Sequence, residues 1–296
     1  MSTHISLASD VSATSETPSR FGPEVILPKL TVGKVSRNVA LTACGAMFVL
    51  PLLWLILASV DADASRQLKL PILTLAHFGI ALSSGKLLAL WNSVVISIIA
   101  TLVATIPSIF AGYAFSRQHI PFKKSTLLVI LFLSGIPINI LIVPVYQVLS
   151  KMDMLSLLPT GIFLGATALP FELYIIKNAI DAIPLDLEEA ARIEGAGTLQ
   201  IILRVIVPLS MPGIMAGAIF GFVNTWGNFL APLVLITNSE QQPSPISIFS
   251  FITADTIRYG DIAAYSLVYS APVVLLYLLS SRVFKSGFVL GGAVRG

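Results

Sequence analysis

The residues best suited to chemistry lie in a charged segment between two long apolar stretches. Glu188 and Glu189 stand directly before Ala190 and Ala191, and Gly195 follows. Small side chains allow another protein to approach closely, and an adjacent carboxylate can accept a charge-assisted hydrogen bond from it. The segment holds no pattern of a metal site, a nucleophile or a phosphate loop. It therefore predicts a surface on which another protein docks.

The local sequence predicts that this surface is a helix followed by a turn. Acidic residues from Asp186 onward favour the positive N-terminal end of a helix that begins near Leu185. Gly195 and Gly197 can end this helix, because glycine readily adopts the left-handed conformation. Apolar residues at helical spacing then predict a second, interfacial helix over 198–207, before the next proline.

Other chemical patterns are missing from the sequence. His4, His77 and His119 are isolated and Cys44 is the single cysteine, so we expect neither a metal site nor an intrachain disulfide. The sequence contains no phosphate-binding loop of the Walker type, so the chain cannot be its own ATPase. Without these motifs, the sequence gives little support to an enzymatic function.

Composition places the charged segment in a membrane protein. Of the 296 residues, 55% are hydrophobic and 11% are charged, and the mean hydropathy is +0.89. Apolar stretches of about 20 residues cross a bilayer as helices, and hydrophobicity without strict alternation favours a helical bundle over a barrel. We predict an all-α, polytopic bundle of six transmembrane helices, at 39–60, 91–115, 127–149, 157–176, 213–237 and 262–281.

Basic residues predict the orientation of the bundle. Most of the 18 Lys and Arg residues fall on one side when the spans alternate, and the short loop with Arg117, Lys123 and Lys124 has no acid. Both termini are then cytoplasmic, and the net charge of +3 reflects this asymmetry without predicting nucleic-acid binding. We predict a disordered cytoplasmic tail at 1–36 and a six-helix domain at 37–296. Within this domain lie a cytoplasmic loop at 181–212 and a cytoplasmic carboxyl-terminal tail at 282–296.

The charged loop matches a longer pattern of Glu-Ala-Ala, three residues, Gly, nine residues and then Ile-x-Leu-Pro. In this respect it resembles the coupling loop of permease subunits in bacterial ABC importers. Valines replace the Ile and Leu of the pattern. The coupling residues that the resemblance implies, including the preceding acid, are Glu188, Glu189, Ala190, Ala191, Gly195, Val205, Val207 and Pro208.

The carboxyl end is similar to the glycine-rich ending of carbohydrate permeases of the maltose-transporter type, especially the second of their two subunits. The resemblance covers residues 36–296. In that family the tail reaches the ATPase, which implies the same contact for Gly291, Gly292, Ala293, Val294, Arg295 and Gly296.

The resemblance implies a permease subunit of a type I ABC importer, with the methionine-permease-like fold, for a sugar or sugar-derived solute in the bacterial inner membrane. The chain itself then binds no cofactor, because ATP and Mg are bound by a separate ATPase dimer. The other implied partners are a second permease subunit, an extracytoplasmic solute-binding protein and membrane lipid.

Polar residues within the predicted spans are candidates for the solute path. Glu172 is costly in hydrocarbon, so it either pairs with Lys177 or lines the path. The polar and aromatic residues of the fifth span suit either sugar binding or hydrogen bonds between helices, and they are Asn224, Thr225, Trp226 and Asn228.

Two other functions stay open on the sequence. A secondary transporter driven by an ion gradient needs no ATPase partner, so uptake by ATP-depleted vesicles that hold such a gradient favours it. A membrane-embedded enzyme needs paired catalytic groups within the spans, and turnover of a lipid or peptide by the isolated chain favours that alternative.

Overall fold

The computed structural model describes the backbone of residues 32–67, 69–253 and 256–293, and the side chains of residues 36–67, 69–253 and 256–280. The chain forms two compact units, residues 1–50 and residues 51–296. The described part of the first unit is helical, and its side chains from Ser36 to Leu50 are exposed. The predicted disordered tail lies mostly outside the described residues, although the helix already begins at Val32.

Most of the described residues are helical. Isolated bridges join Asp61 to Leu73 and Ile252 to Ile257, and no longer strand occurs in the described part of the chain. In chain order, the helices are α1 (Val32–Ser59), α2 (Ala76–Ala81), α3 (Ser84–Arg117), α4 (Lys123–Leu133), α5 (Ile138–Lys151), α6 (Leu157–Asp181), α7 (Asp186–Ile193), α8 (Thr198–Ile201), α9 (Val207–Trp226), α10 (Leu230–Leu235), α11 (Ser244–Ile248) and α12 (Tyr259–Ala293).

The predicted membrane helices are present with altered bounds. Among the described residues, five helices are long and apolar enough to cross a membrane, and the number is six if the bent pair of α4 and α5 counts as one span. A single helical stretch runs from Thr198 to Trp226, so the fifth span begins well before the predicted residue 213. It also ends at Trp226, and the predicted remainder of that span forms the separate helix α10.

The third predicted span, 127–149, is broken. Helices α4 and α5 meet at an angle of 82° across residues 134–137. Pro137 stands directly before α5 and disfavours helical backbone at the residue before it, and Gly135 weakens the helix further. Because the whole stretch is hydrophobic, the sequence predicted one straight span and missed the bend that Gly135 and Pro137 cause.

Helices α3, α6 and α9 form the core of the second unit. Glycines let their backbones approach closely: a Cβ added at Gly165 of α6 would lie 2.5 Å from the carbonyl oxygen of Ala100 on α3. A Cβ added at Gly213 of α9 would lie 2.2 Å from Cβ of Ala179 on α6. Apolar burial drives helix association weakly within a membrane, so close packing through small residues provides much of the attraction.

Candidate docking site

Helix α7 and the turn after it form a short projection, which we name the knob (residues 186–197). The acids Asp186, Glu188 and Glu189 occupy its first helical turn, where the helix dipole favours negative charge. Gly195 has a φ of +88°, and the amide of Ala196 donates to the carbonyl of Ala191 at 2.9 Å. This geometry confirms that the glycine ends the helix.

One face of the knob is exposed and partly apolar. Glu189 and Ala190 are exposed, and Leu187 and Ile193 lie beside them with 46% and 88% of their surface exposed. We name these four residues the docking face. Ala191, which the resemblance places among the coupling residues, is instead half-buried at the base of the knob. It packs against what we name the isoleucine-rich cluster, which consists of Tyr113, Ile176, Ile180, Ile183, Ile201, Ile202, Ile206 and Ile214.

Glu188 points into the protein, which corrects its predicted place among the residues that contact a partner. Only 1% of its surface is exposed. Its Oε1 accepts a hydrogen bond from Arg117 Nε at 2.5 Å, and its Oε2 accepts one from Tyr113 Oη at 3.2 Å. Both donors belong to α3, so Glu188 joins the knob to that helix and takes no part in the docking face.

The predicted separate interfacial helix over 198–207 is also wrong, because this stretch continues into α9. Between α8 and α9, residues Ile202–Ile206 form a π-helical turn, in which the amide of Val207 donates to the carbonyl of Ile202. Pro208 has no amide hydrogen, and its ring would clash with the carbonyl four residues earlier in a regular α-helix. The wider π turn relieves this conflict and lets the helix pass the proline.

The remaining coupling residues differ in exposure. Val205 and Val207 are half-buried and pack against the isoleucine-rich cluster, whereas Pro208 is exposed. The cluster also includes Ile180 of α6 and Tyr113 of α3. The two valines thus fix the start of the fifth span against the base of the knob.

Glu172 lies in the packed core of α3, α6 and α9, and neither of its predicted roles is found. It is fully buried, and its Oε2 accepts a hydrogen bond from Thr105 Oγ1 at 2.7 Å. Lys177 pairs with Asp181 instead. The position of Gly221 closes the other side of the carboxylate, because a Cβ there would lie 2.0 Å from Oε1. Glu172 is therefore buried between these helices with no hydrogen-bond partner for Oε1 among the described residues, and it does not line an open path through this chain.

The polar residues of the fifth span do not form one site. Thr225 and Trp226 are each only 4% exposed. The indole of Trp226 stacks against both Phe222 and Tyr269, with ring centroids 5.4 and 5.0 Å away. Tyr269 Oη also donates to the carbonyl oxygen of Trp226 at 2.5 Å. Trp226 therefore fastens α9 to α12 and offers no free aromatic face to a solute.

Asn228 and Asn224 have different surroundings. Asn228 Oδ1 accepts a hydrogen bond from the amide of Ala231 at 3.1 Å, so it caps the first turn of α10. Asn224 is exposed on α9. Of the polar residues predicted for the solute path, Asn224 is the one whose side chain the structure leaves open.

The carboxyl-terminal segment is helical where its backbone is described. Helix α12 continues through Gly291, Gly292 and Ala293, so most of the predicted tail 282–296 extends the last helix. Val294, Arg295 and Gly296 lie outside the described residues.

Arg117 and Tyr113 contact the knob in a way that the sequence did not predict. The sequence marked Arg117 only as a positive charge at the end of a span. Its pairing with a carboxylate 71 residues later has no local signal.

The residues that the structure describes contain no group of three or more His, Cys, Asp or Glu side chains arranged to hold a metal ion.

Comparisons with known proteins agree with this architecture. The solved structure of a bacterial ABC transporter involved in the import of the acidic polysaccharide alginate has a chain that superposes with a TM-score of 0.73, covering 86% of this chain and 96% of that chain at 18% identity. This likeness shows the fold.

Curated relatives match along most of their length. The diacetylchitobiose uptake system permease protein of Streptomyces coelicolor is 26% identical over 276 residues, which is 89% of this chain and 98% of the relative. The trehalose transport system permease protein of Mycobacterium tuberculosis is 31% identical over 211 residues, 70% of this chain and 77% of the relative. A family model described as "binding-protein-dependent transport system inner membrane component" matches residues 104–286. The chain belongs to this family of inner membrane transport components.

Proposed function

We propose that this chain is a permease subunit of an ATP-driven importer for a sugar or sugar-derived solute, and that the docking face of its knob receives force from a separate ATPase dimer. The observation that carries the proposal is the exposed set of Leu187, Glu189, Ala190 and Ile193 on a short helix whose base is fixed in the core. The diacetylchitobiose and trehalose systems of the two relatives support the solute class.

The mechanism follows from the shape and chemistry of the docking face. Its small and apolar side chains fill a cleft of the partner, and Glu189 accepts a charge-assisted hydrogen bond there. When the ATPase dimer closes on ATP, the cleft carries the knob with it, and the helices behind the knob move between inward-open and outward-open states. The chain is a non-catalytic subunit that binds no cofactor, because the ATPase holds the ATP and Mg.

The remaining partners complete the transporter. A second, different permease subunit pairs with this chain in the membrane, and an extracytoplasmic solute-binding protein docks at the end opposite the knob. Both termini lie in the cytoplasm, a placement that Arg117 at the end of α3 and Lys123 and Lys124 at the start of α4 support. The carboxyl-terminal residues Gly291–Gly296 contact the ATPase, and Asn224 faces the solute path.

Cysteine crosslinking tests the docking proposal directly. Cys44 is the single native cysteine, so a Cys44→Ser background allows one new thiol to be placed at will. We expect Glu189→Cys in the assembled transporter to form an adduct with a cysteine in the ATPase cleft, with a yield that changes on addition of ATP. Lys124→Cys is the matched control, because it is exposed in the first turn of α4 and lies outside the docking face.

Two results contradict the proposal. One is the absence of any nucleotide-sensitive adduct at position 189 under conditions in which the ATPase co-purifies. The other is an adduct of equal yield at position 124. Uptake by ATP-depleted vesicles that hold an ion gradient contradicts the ATP-driven mechanism and favours a secondary transporter, which family membership otherwise disfavours.

A further inference from the structure

The knob is joined to the membrane helices by connections that transmit force poorly on their own. Residues 182–185 precede α7, and residues 194–197 follow it. The second connection contains Gly195 in the left-handed conformation and Gly197 in an extended one. Apart from the packing of Ala191 against the isoleucine-rich cluster, these segments alone would leave the helix free to swivel when a partner pulls on it.

The buried ion pair between Glu188 and Arg117 removes this freedom. Glu188 is the buried acid of α7, whereas Asp186, Glu189 and Glu194 are exposed. Both carboxylate oxygens of Glu188 are held by donors on α3, at 2.5 Å by Arg117 and at 3.2 Å by Tyr113. Two bonds from one helix fix the rotation of the knob as well as its distance from α3.

Arg117 also holds the end of α6. Its Nη2 donates to the carbonyl oxygens of Ile180 at 3.1 Å and Ile183 at 2.7 Å. Few donors within a helix reach its last carbonyls, and the guanidinium adds bonds there to the one that Ile180 O already accepts from the amide of Ile183. One planar group therefore connects the end of α3, the end of α6 and the first turn of α7. The guanidinium has a rigid fork of five donors that can make all these bonds, whereas the ammonium of a lysine cannot.

The pair is sequestered from water. The side chains of Arg117 and Glu188 are 9% and 2% exposed. A buried pair of this kind is weak evidence for extra stability, because desolvation of both charges offsets their attraction, whereas a role in fixing one arrangement fits its geometry better. Helix α3 has 34 residues and packs along α6 and α9, so a displacement at Arg117 reaches the far end of the core.

We propose that Arg117 is a positioning residue that makes the knob, α3 and the end of α6 move as one body, so that movement of the docking face enters the transmembrane core through the Glu188–Arg117 pair. This inference rests on the proposed docking function. Adjacent carboxylates then have separate tasks: Glu189 contacts the motor, and Glu188 passes its movement on.

Distance measurements by pulsed electron paramagnetic resonance test the proposal without knowledge of the solute. Spin labels are placed at Gln118→Cys and Glu194→Cys, both exposed at the ends of α3 and α7, in the cysteine-free chain assembled with its permease partner and ATPase. With an intact pair, we expect the distance to change by less than about 2 Å between the nucleotide-free and the ATP–vanadate states. A second readout, the adduct at Glu189→Cys, reports docking in the same variants.

The test variants are Glu188→Gln and Arg117→Lys. Glutamine keeps the shape of glutamate without its charge, and lysine keeps the charge without the forked set of donors. In both variants we expect the adduct to persist while ATP–vanadate shifts or broadens the label distance by about 5 Å. Asp186→Asn is the matched control, since it removes the same charge from an exposed residue of α7 with no partner among the described residues, and its distance should stay constant.

Several outcomes overturn the proposal. A label distance that changes with nucleotide in the unaltered pair shows that the knob and α3 do not move together. A constant distance in both variants, with the adduct still formed, shows that the pair transmits nothing, and this leaves the docking proposal standing. Loss of assembly in both variants shows that the pair serves folding. Absence of the adduct when the pair is intact refutes docking itself, together with the inference that rests on it.

Discussion

Replacing Gly221 by alanine tests whether Glu172 packs in the helix core. A Cβ at position 221 would lie 2.0 Å from Glu172 Oε1 and 3.2 Å from its Cδ, far inside normal contact distance. Glu172 has little room to withdraw, because it is fully buried and Thr105 holds its other oxygen at 2.7 Å. We expect Gly221→Ala to destabilise the protein by about 1–3 kcal/mol, the usual cost of overpacking a core.

Gly217→Ala is the matched control, one turn earlier on the same face of α9. Its Cβ would lie 3.5 Å from Ile176 Cγ1 and 3.8 Å from Glu172 Cγ, which are ordinary contacts. This variant should be neutral, or more stable by up to about 1 kcal/mol through the helix preference for alanine over glycine. The comparison separates a clash at one carboxylate from a general effect of added methyl groups.

A double-mutant cycle identifies the clashing partner. In a Glu172→Ala background the methyl group at position 221 has space, so we expect a favourable coupling energy of about 1–3 kcal/mol between the two sites. Unfolding in detergent micelles with increasing sodium dodecyl sulfate, followed by tryptophan fluorescence in a chain whose Trp54 and Trp91 are replaced by Phe so that the buried Trp226 alone reports, measures each term. Equal effects of the two glycine variants, or the absence of coupling with Glu172, would refute the placement of that carboxylate.

Three further predictions concern other parts of the second unit. Gly165→Ala brings a methyl group within 2.5 Å of a backbone oxygen of α3, so we expect a loss of about 1–3 kcal/mol in the same unfolding assay. Gly85→Ala, in the first turn of α3 with open space around it, should be neutral or more stable by up to about 1 kcal/mol. Gly195→Ala forces alanine to a φ of +88°, and we expect it to increase cleavage of the knob by protease in the purified chain; unchanged cleavage contradicts the strained turn. The backbone amide of Ile72 donates to Asp61 and holds the pKa of that carboxyl below its ordinary 3.8. Folding thus favours the ionised form of Asp61, so the stabilisation from this carboxylate is present at neutral pH and is lost as pH falls below 3.8. Asp61→Asn should remove this part of the acid sensitivity of thermal unfolding. An unaltered pH profile in the variant contradicts this prediction.

Hydropathy and local turn chemistry predicted much of the architecture. Long apolar runs identified the membrane helices, since about 20 apolar residues have no stable position outside a bilayer or a core. Acids in the first turn and Gly195 after the helix predicted the start and end of α7 to within one or two residues. These signals are local, so one sequence is enough to show them.

The predictions failed where the answer depended on partners distant in the chain. Glu188 and Glu189 are neighbours of the same type, and the sequence did not show which of them is buried. The burial of Glu188 depends on Arg117, 71 residues away, and that of Glu172 on Thr105, 67 residues away. The sequence made Trp226 a candidate for stacking against a sugar, but in the structure its ring stacks against Tyr269.

Local signals were also missed in two places. Gly135 and Pro137 marked the break between α4 and α5, but the uniform hydrophobicity around them favoured one continuous span. Pro208 suggested the end of a helix, whereas the π turn at Ile202–Ile206 carries the helix past it. In a membrane, the cost of unpaired backbone groups favours such local adjustment over termination.

The most direct test of force entry through the knob is a structure of the whole transporter with its ATPase, by electron cryo-microscopy, without nucleotide and trapped with ATP–vanadate. We predict that Glu189, Ala190 and Ile193 sit in a cleft of the ATPase in both states, and that the knob and α3 shift together as the ATPase closes. A knob that stands clear of the ATPase in either state, or that stays still while the membrane helices rearrange, would contradict the account.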